Sequence, residues 1–458
     1  MLHGPILATL AGMAWPNVLM MLAQSSTGLI ETWFLSRLGT DALAGASLVV
    51  PVLMLMQNMS QGAMGGGISA AVARALGGGR DFEANRLVLQ AVAINAALGL
   101  VFSALILALG PMLYRAMGGR AGALDAALVY SNVIALGLVL MWVMNALASV
   151  IRGTGNMIVP GVVICGGALL LVPLAPTLIF GLGPIPAMGI AGAGLALVIY
   201  YAAGVAVFTW YCVSGRCVVR LSKGRLEWRL MRQILSVGAL ATLNAFITNG
   251  LIAATTALVA AYAGIAALAG YGTAARLELL VLPIAFGIGA PLVAMVASNI
   301  GAGNQQRALR IALTGGAVAF LLAEIIGLAA AFWSTELMGL FGSDPDMIAV
   351  GGSYLHIVGP VFGFFGLGFT LYFASQGAGR LAWPLMSGAV RLLVAVGGGW
   401  LVLRLTGSVT GLFWACALAM VLYGGIVATA VASGVWFRKR PTPTPPAASA
   451  IRPGHQSP

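Results

Sequence analysis

Long apolar runs recur along the whole chain and are separated by short polar segments. Each run is long enough for a helix that rises about 1.5 Å per residue to cross roughly 30 Å of hydrocarbon. The runs are continuous and do not alternate between apolar and polar residues, so they lack the pattern of a transmembrane β-barrel. The pattern predicts an all-α polytopic membrane protein with twelve transmembrane helices, at 8–36, 47–73, 87–114, 126–150, 157–180, 188–213, 233–262, 267–298, 308–333, 347–375, 382–404 and 408–437.

Three motifs occur twice at a nearly constant spacing. GTGNMIVP at 153–160 returns as GAGRLAWP at 377–384, and LGGGR at 76–80 returns as IGAGN at 300–304, both with the same offset in numbering. ALAG at 42–45 returns at 267–270, with an offset larger by one. Because six spans lie in each half, both halves cross the membrane in the same direction. The repeat therefore predicts two pseudo-symmetric six-helix lobes around a central cleft.

The segment 214–232 is the longest charged stretch between apolar runs and marks the connection between the halves. We expect an N-lobe at 1–213, a cytoplasmic basic linker at 214–232 and a C-lobe at 233–437. The remaining segment, 438–458, is rich in proline and poor in apolar residues, which predicts a disordered cytoplasmic tail.

Composition agrees with lipid as the main solvent of this chain. Of 458 residues, 60% are hydrophobic and only 7% are charged, and the mean hydropathy is +1.01, whereas soluble proteins have about 25% charged residues. A net charge of +12 on so few charged groups does not indicate nucleic-acid binding. The four cysteines lack metal-ligand spacing, so we expect neither a metal site nor disulfides.

The basic residues instead set the orientation. Seventeen fall in the segments at one end of the predicted bundle, and four fall at the other, namely Arg37, Arg115, Arg120 and Arg404. The positive-inside rule then predicts that both termini lie in the cytoplasm. We expect the protein in the cytoplasmic (inner) membrane. A lipid-headgroup patch on the linker is the alternative explanation of its charge.

An ordered set of short motifs resembles the multidrug and toxic compound extrusion (MATE) family. Pro16 precedes ETWFLSRLGTDALAG at 31–45, which is similar to the family's first-span proline and acid–threonine positions and its LG…ALA turn. The further matches are GGG at 65–67, ALGGG at 75–79, RGTG at 152–155 with Pro160, GIAGA at 189–193, AARLE at 274–278, NIGAG at 299–303, and QGAG at 376–379 with Pro384. The resemblance covers about 15–436. It implies an exporter of amphipathic organic cations or drugs that exchanges them for sodium ions or protons.

One position departs from the family pattern. The NorM-type branch carries a carboxylate in the seventh span, which aligns near Asn249, where this chain has no acid. The family's first-span aspartate aligns with Glu31, which has the same charge and one more methylene. The resemblance thus favours ion coupling through the N-lobe.

Glu31 is the leading candidate for ion coupling, because an ionisable group in hydrocarbon costs free energy and is kept for a function or a partner. Asn17, Gln24 and Thr27 share one face of the first helix with it. Such a carboxylate could take a proton, or it could bind sodium with neutral oxygens as further ligands. The structural alternative is a permanent ion pair, with Arg37 the nearest arginine in sequence.

Two other carboxylates and one histidine fall inside spans. Glu278 could line the cavity and bind a cation, or pair with Arg276 or another helix. Glu324 could be functional or pair with the intramembrane Arg391. His356 could titrate, although a hydrogen-bonded packing histidine is the favoured interpretation.

We expect the substrate to bind between the lobes near the midplane. The second span carries a polar face with Asn58 and Gln61. Asn244, Thr248 and Thr255 form a polar face on the seventh span, predicted to lie across from the face of Glu31.

The sequence as a whole favours a secondary active multidrug efflux antiporter that works by alternating access, with a proton or sodium as the coupling ion and no cofactor. The alternative is a flippase or exporter of a lipid-linked or other metabolite, which should line its cleft with several basic groups. Away from the span ends, only Arg276 and Arg391 lie inside spans. No HExxH or GxSxG motif is present, so an enzyme is not expected. The expected partners are small-molecule drugs or organic cations and membrane lipid, without nucleic acid, and we expect a monomer.

Overall fold

The computed structural model describes residues 1–182, 186–222 and 224–437, and the predicted disordered tail lies outside them. The described residues contain twelve helices that are long and apolar enough to cross a membrane, as predicted. They are α1 (Ile6–Ser36), α2 (Thr40–Gly77), α3 (Asp81–Ala116), α4 (Ala121–Gly153), α5 (Ile158–Phe180), α6 (Ile190–Val213), α7 (Trp228–Tyr262), α8 (Ala266–Gly301), α9 (Gln305–Phe332), α10 (Pro345–Ala378), α11 (Ala382–Thr406) and α12 (Val409–Ala432). Shorter helices occupy Ser334–Gly339 and Val435–Phe437.

Several helices extend beyond the apolar runs from which they were predicted. α2 begins at Thr40. The residue before it, Gly39, has a φ of 109° and separates α2 from the turn that follows α1. Apolar counting placed this start at 47, because it passed over Thr40 and Asp41. An acidic residue in the first turn of a helix interacts favourably with the partial positive charge of the helix N-terminus, so a polar start does not interrupt the helix.

Four of the long helices are locally irregular. α2 is π-helical over Asn58–Met64, and α11 is π-helical over Leu393–Gly398. α8 is interrupted between Glu278 and Val281, and α10 contains a 3₁₀ turn at Gly359–Val361. Such irregularities release backbone groups from regular hydrogen bonding and therefore need polar partners nearby.

Helix packing follows the internal repeat. In the first half α4 packs against α2, α3 and α6, and in the second half the equivalent α10 packs against α8, α9 and α12. This confirms the predicted two-lobed, all-α architecture. The residue boundaries proposed for the lobes stay a prediction, although α7 already begins at Trp228, inside the segment 214–232.

Contacts between the lobes concentrate at one end of the bundle, which we call the proximal end and which holds Met1 and the turns at 78–80 and 302–304. A Cβ atom added at Gly77 would overlap the Ser298 carbonyl oxygen, and one at Gly301 would overlap the Arg74 carbonyl oxygen. Only glycine allows backbones to approach this closely. The lobes are therefore closed against each other at the proximal end.

The connection between the lobes lies along the proximal end of α3. The Asn85 side chain accepts a hydrogen bond from the Arg220 backbone N–H at 2.7 Å, and Gln90 donates to the Arg225 carbonyl at 3.0 Å. Arg86 forms an ion pair with Glu227. These bonds fix the path of the chain into α7.

Candidate functional site

Glu31 lies in the N-lobe and is paired with a tyrosine on α4. The Tyr130 hydroxyl donates to Glu31 Oε1 at 2.5 Å, a short hydrogen bond typical of a charged acceptor. The carboxylate opens into a narrow crevice between α1, α5 and α6, where Thr27 is the other polar side chain among mostly apolar ones such as Phe34 and Leu171. α1 thus presents an ionisable group to a largely apolar environment.

The structure does not support an ion pair as the explanation of Glu31. Arg37 instead lies over the Trp33 ring, with its guanidinium carbon 4.1 Å from the ring centroid. Among the described residues, no basic side chain lies within 4.0 Å of the Glu31 carboxylate. The predicted alternative, pairing with Arg37, is wrong.

The predicted polar face of α1 does not form one ion site. α1 is a continuous helix, so at about 1.5 Å per residue Asn17 lies roughly 21 Å along the axis from Glu31, and Gln24 lies roughly 10 Å away. Asn17 is buried and donates to the Met13 carbonyl at 3.1 Å. A shared face is not a shared site, because the prediction considered angle and left out axial rise. Only Thr27, one turn away, adjoins Glu31, and its hydroxyl donates to the Ala23 carbonyl.

A second buried carboxylate lies in the C-lobe. The Tyr354 hydroxyl donates to Glu278 Oε2 at 2.5 Å, and Arg391 Nη2 lies 3.5 Å from Glu278 Oε1. The Arg391 guanidinium also lies over the Phe365 and Tyr423 rings. Glu278 therefore pairs with another helix, one of the two predicted alternatives, and its charge is compensated.

The two tyrosines are equivalent in the repeat, since Tyr130 and Tyr354 are separated by the same offset as the GTGNMIVP and GAGRLAWP motifs. Their carboxylates are not equivalent, because Glu31 comes from the first helix of its half and Glu278 from the second. Each lobe thus holds a carboxylate–tyrosine pair, and within the described part of the chain only the C-lobe pair has an arginine beside it. The net charge of the Glu31–Tyr130 pair is therefore not compensated by an arginine and changes when a proton or another cation binds to Glu31.

Glu324 has a different partner from the one expected. Its Oε2 accepts a hydrogen bond from the Gly363 backbone N–H at 2.8 Å, just after the 3₁₀ turn in α10. The suggested pair with Arg391 is wrong, because Arg391 is bound to Glu278. Glu324 satisfies a backbone donor that the irregular helix releases.

The remaining cavity candidates are scattered. Gln61 is buried, whereas Asn58 on the same π-helical segment is exposed. Asn244 Oδ1 lies 3.2 Å from the position of a Cβ atom at Gly388, and the Thr255 hydroxyl accepts from Tyr271 at 3.0 Å. Both residues therefore face the interior of the C-lobe, and the prediction that they lie across the cleft from Glu31 is wrong.

Thr248, predicted as part of the substrate-binding face, and His356, predicted as a packing residue, can also be located. The Thr248 hydroxyl donates to the Asn244 carbonyl on its own helix at 3.0 Å, so its role in substrate binding stays a prediction. His356 is exposed, so the packing interpretation of this histidine is wrong.

Sequence reasoning missed a polar cluster between the lobes. Arg152 lies two positions beyond the predicted end of the fourth span at 150, but α4 continues to Gly153 and the Arg152 side chain is 4% exposed. Its repeat equivalent is Gln376, which is fully buried at the end of α10. The register of the repeat could have paired these two residues, because both stand in the motif that recurs at 152–155 and 376–379.

Comparison with known proteins places these features in a family. A family model described as MatE matches residues 16–177 and 241–401. A protein of Shewanella oneidensis named "FAD transporter" is 27% identical over 82% of this chain and 82% of its own length. The "Probable multidrug resistance protein NorM" of Thermotoga maritima is 27% identical over 81% of this chain and 79% of its own length.

The fold has solved counterparts. A structure described as "Crystal structure of MATE in the straight conformation" superimposes with a TM-score of 0.85, covering 95% of this chain and 98% of that chain at 19% identity. At this identity the likeness concerns the fold. Because the family model matches both halves and more than half of the 458 residues, the chain belongs to the MatE family and is a multi-pass membrane transporter of the MATE type.

Proposed function

We propose that the protein is a secondary active exporter that exchanges amphipathic small molecules for protons, with Glu31 as the proton carrier. The observation that carries the proposal is the Glu31–Tyr130 pair in its largely apolar crevice, which has no basic partner within 4.0 Å among the described residues. A carboxylate in such a place is costly when charged and becomes neutral on binding one proton. Its proton occupancy can therefore bias the equilibrium between two arrangements of the lobes.

The oxygens near Glu31 favour a proton over sodium. Sodium is a hard cation that is bound best where several oxygens converge. Besides its own carboxylate, Glu31 has two side-chain hydroxyl oxygens close to it among the described residues, those of Thr27 and Tyr130, which is a small set for sodium. Asn17 and Gln24 are one or more helical turns too far away to contribute. A proton needs only the carboxylate.

We propose that transport proceeds by alternating access, with the closed proximal end as one of its two states. In the orientation predicted by the positive-inside rule, the proximal end and both termini face the cytoplasm. The proposal assumes that the membrane is the inner membrane. The conformation with the lobes joined at the proximal end would then be the outward-facing one. Protons would reach Glu31 from outside before the lobes separate at the proximal end.

The test is efflux of ethidium from proteoliposomes under one ion gradient at a time. We expect export in sodium-free buffer when the outside is acidic, and its loss when a protonophore collapses the proton gradient. Export that requires external sodium at any pH difference would overturn proton coupling and make Glu31 a sodium ligand.

Two substrate classes have support. The relative named as a multidrug resistance protein supports drugs and organic cations, which Glu31 could attract. The relative named as an FAD transporter supports an organic anion, and the specific observation in its favour is the buried Arg152 between the lobes. Parallel export assays with ethidium and FAD distinguish the two classes.

A further inference from the structure

A small cavity lies between the lobes and is lined by residues of both halves. Its N-lobe wall is polar or small and includes Gln61, Ser69 and Arg152, and its C-lobe wall is apolar and includes Phe286 and Phe373. The two walls come from equivalent helices, α2 and α4 on one side and α8 and α10 on the other. The repeat has thus produced a cavity with one polar face and one aromatic face.

Arg152 is the charged group of the polar face, and its charge is not balanced by an acid. Its Nη2 donates to the Ser149 hydroxyl at 2.8 Å, and its Nη1 has no hydrogen-bond partner among the described residues. None of the four ion pairs found there includes it. The C-terminus of α4 carries roughly half a negative charge, which offsets only part of the guanidinium charge. A buried guanidinium in this state is stabilised by an anion.

One amide group adds a donor at the same place. Gln61 is 6% exposed; its Oε1 accepts from Gln57, and its Nε2 has no partner among the described residues. Gln376 is not a wall residue of the cavity; it lies behind Gly66, with its acceptor Oε1 as the atom nearest to that glycine. One guanidinium and one amide with free N–H groups make a donor set suited to the oxygens of a phosphate or a carboxylate.

The opposite wall suits a flat apolar group. The Phe286 and Phe373 rings pack edge to face with centroids 5.2 Å apart, and both line the cavity. Aromatic rings of a ligand pack well on such a surface.

We infer that this cavity binds the anionic group of an amphipathic substrate, with the phosphate or carboxylate at Arg152 and the aromatic part against Phe286 and Phe373. The inference rests on the proposed export function and specifies its substrate class. With the proximal end closed the cavity measures about 20 Å³, enough for roughly one water molecule. The substrate therefore enters when the lobes separate at the proximal end, and closure of the lobes expels it.

The binding test compares two fluorescent probes that share one ring system and differ in charge, riboflavin 5′-phosphate and riboflavin. Affinities are measured with the purified full-length protein in detergent, without any ion gradient. We expect the phosphate ester to bind at least about tenfold more tightly than riboflavin, and inorganic phosphate to compete with it only weakly, because it lacks the ring system. If inorganic phosphate instead displaces the ester at equal concentration, the cavity is a site for free phosphate and the substrate assignment is overturned.

Variants at the site sharpen the test. Arg152→Gln should weaken binding of the phosphate ester roughly tenfold or more and leave riboflavin binding unchanged. Gln61→Glu gives Arg152 a carboxylate partner inside the protein, so it should fold with an unchanged or higher melting temperature and still lose the preference for the ester. Arg404→Gln, which removes a cation stacked on Trp400 on a different helix, is the matched control and should change neither affinity.

The results of these binding tests can be distinguished from the results of the ion-coupling test. Equal affinity for both flavins, or equal loss of both in Arg152→Gln and Gln61→Glu, would overturn the anion site and leave Arg152 as a packing residue. Proton-driven ethidium export would be unaffected by that result. Conversely, a sodium requirement for export would leave an Arg152-dependent preference for the phosphate ester in place.

Discussion

At the scale of single residues, the difference between the two lobes is one of charge compensation. Glu31 and Glu278 each accept a hydrogen bond from a tyrosine at 2.5 Å, and only Glu278 has an arginine within 4.0 Å among the described residues. The first pair can change its net charge by one when a proton binds. The second pair is held near neutrality by Arg391 and acts as a structural link between α8, α10 and α11.

Glu31→Gln should abolish proton-driven export while the protein stays folded, because the amide keeps the size of the side chain and cannot cycle between charged and neutral forms. Ethidium efflux under an acidic external pH measures the loss, and the melting temperature in detergent checks the fold. Glu336→Gln changes an exposed acid on the short helix Ser334–Gly339 and serves as control. Wild-type efflux by a well-expressed Glu31→Gln variant would contradict the assignment.

Glu278→Gln should destabilise the protein by about 3–5 kcal/mol, because it leaves Arg391 buried without a carboxylate. The double variant Glu278→Gln with Arg391→Gln should recover much of this loss, since both charges are gone. Thermal or denaturant unfolding of the two single variants and the double variant gives the coupling energy. If the losses of unfolding free energy in the two single variants add up to the loss in the double variant, the interaction between Glu278 and Arg391 does not stabilise the protein.

The residues of the site could be predicted only in part. Glu31 could be identified because it is a lone acid in an apolar run, and a charged group in hydrocarbon is too costly to be kept without a function or a partner. Its partner Tyr130 lies far away in the sequence, on another helix, and an unremarkable tyrosine in an apolar run gives no local signal. Arg152 was overlooked for a different reason: hydropathy treats an arginine as the end of a span, whereas the helix and the burial continue past it.

At the scale of elements, irregular helices are supported by specific side chains. The 3₁₀ turn at Gly359–Val361 interrupts α10, and Glu324 from α9 accepts the Gly363 N–H that follows it. The apolar pattern predicted one uniform span here. It could not predict the interruption, because Gly359-Pro360 is also tolerated within a continuous membrane helix when neighbours supply hydrogen bonds.

Glu324→Gln should therefore keep both stability and most of the transport, because the amide oxygen still accepts from Gly363. Glu324→Ala removes the acceptor and should cost about 1 kcal/mol. Melting temperatures of the two variants measure the difference, and ethidium efflux compares Glu324→Gln with Glu31→Gln. Greater loss of efflux in Glu324→Gln than in Glu31→Gln would move the ion site into the C-lobe.

At the scale of the whole molecule, backbone contacts between glycines and the opposite lobe close the proximal end. Gly77→Ala places a methyl group about where the Ser298 carbonyl oxygen lies, so it should separate the lobes at this end. Gly272→Ala is the matched control, since nothing lies within 4 Å of the added Cβ atom there. A cysteine at Ser69, in a background without the four native cysteines, reports the change through its reaction with a membrane-impermeant maleimide.

We expect faster labelling of that cysteine from the proximal side in Gly77→Ala than in the wild type, and an unchanged rate in Gly272→Ala. Equal rates in all three proteins would mean that the glycine contacts do not hold the proximal end closed.

The overall architecture was predictable because two independent signals agreed. Twelve apolar runs gave the helices, and the repeat gave the division into halves. What the sequence did not contain was the rotation of each helix, which decides whether Asn244 and Thr255 face the cleft or the C-lobe interior. That rotation depends on packing against helices distant in sequence.

The π-helical segment Asn58–Met64 also lies where the two halves of the repeat differ in length. The interval from ALAG to the glycine-rich turn runs from 42 to 76 in the first half and from 267 to 300 in the second, where it is shorter by one position. A π-helical turn accommodates one residue more than an α-helical turn, and this segment lies within that interval. One insertion in the first half, or one deletion in the second, thus changed the offset between the halves by one without disturbing the helix end that closes the proximal side. The offset to the equivalent position in the second half is therefore larger by one for residues before this segment, such as Glu31, than for residues after it, such as Tyr130.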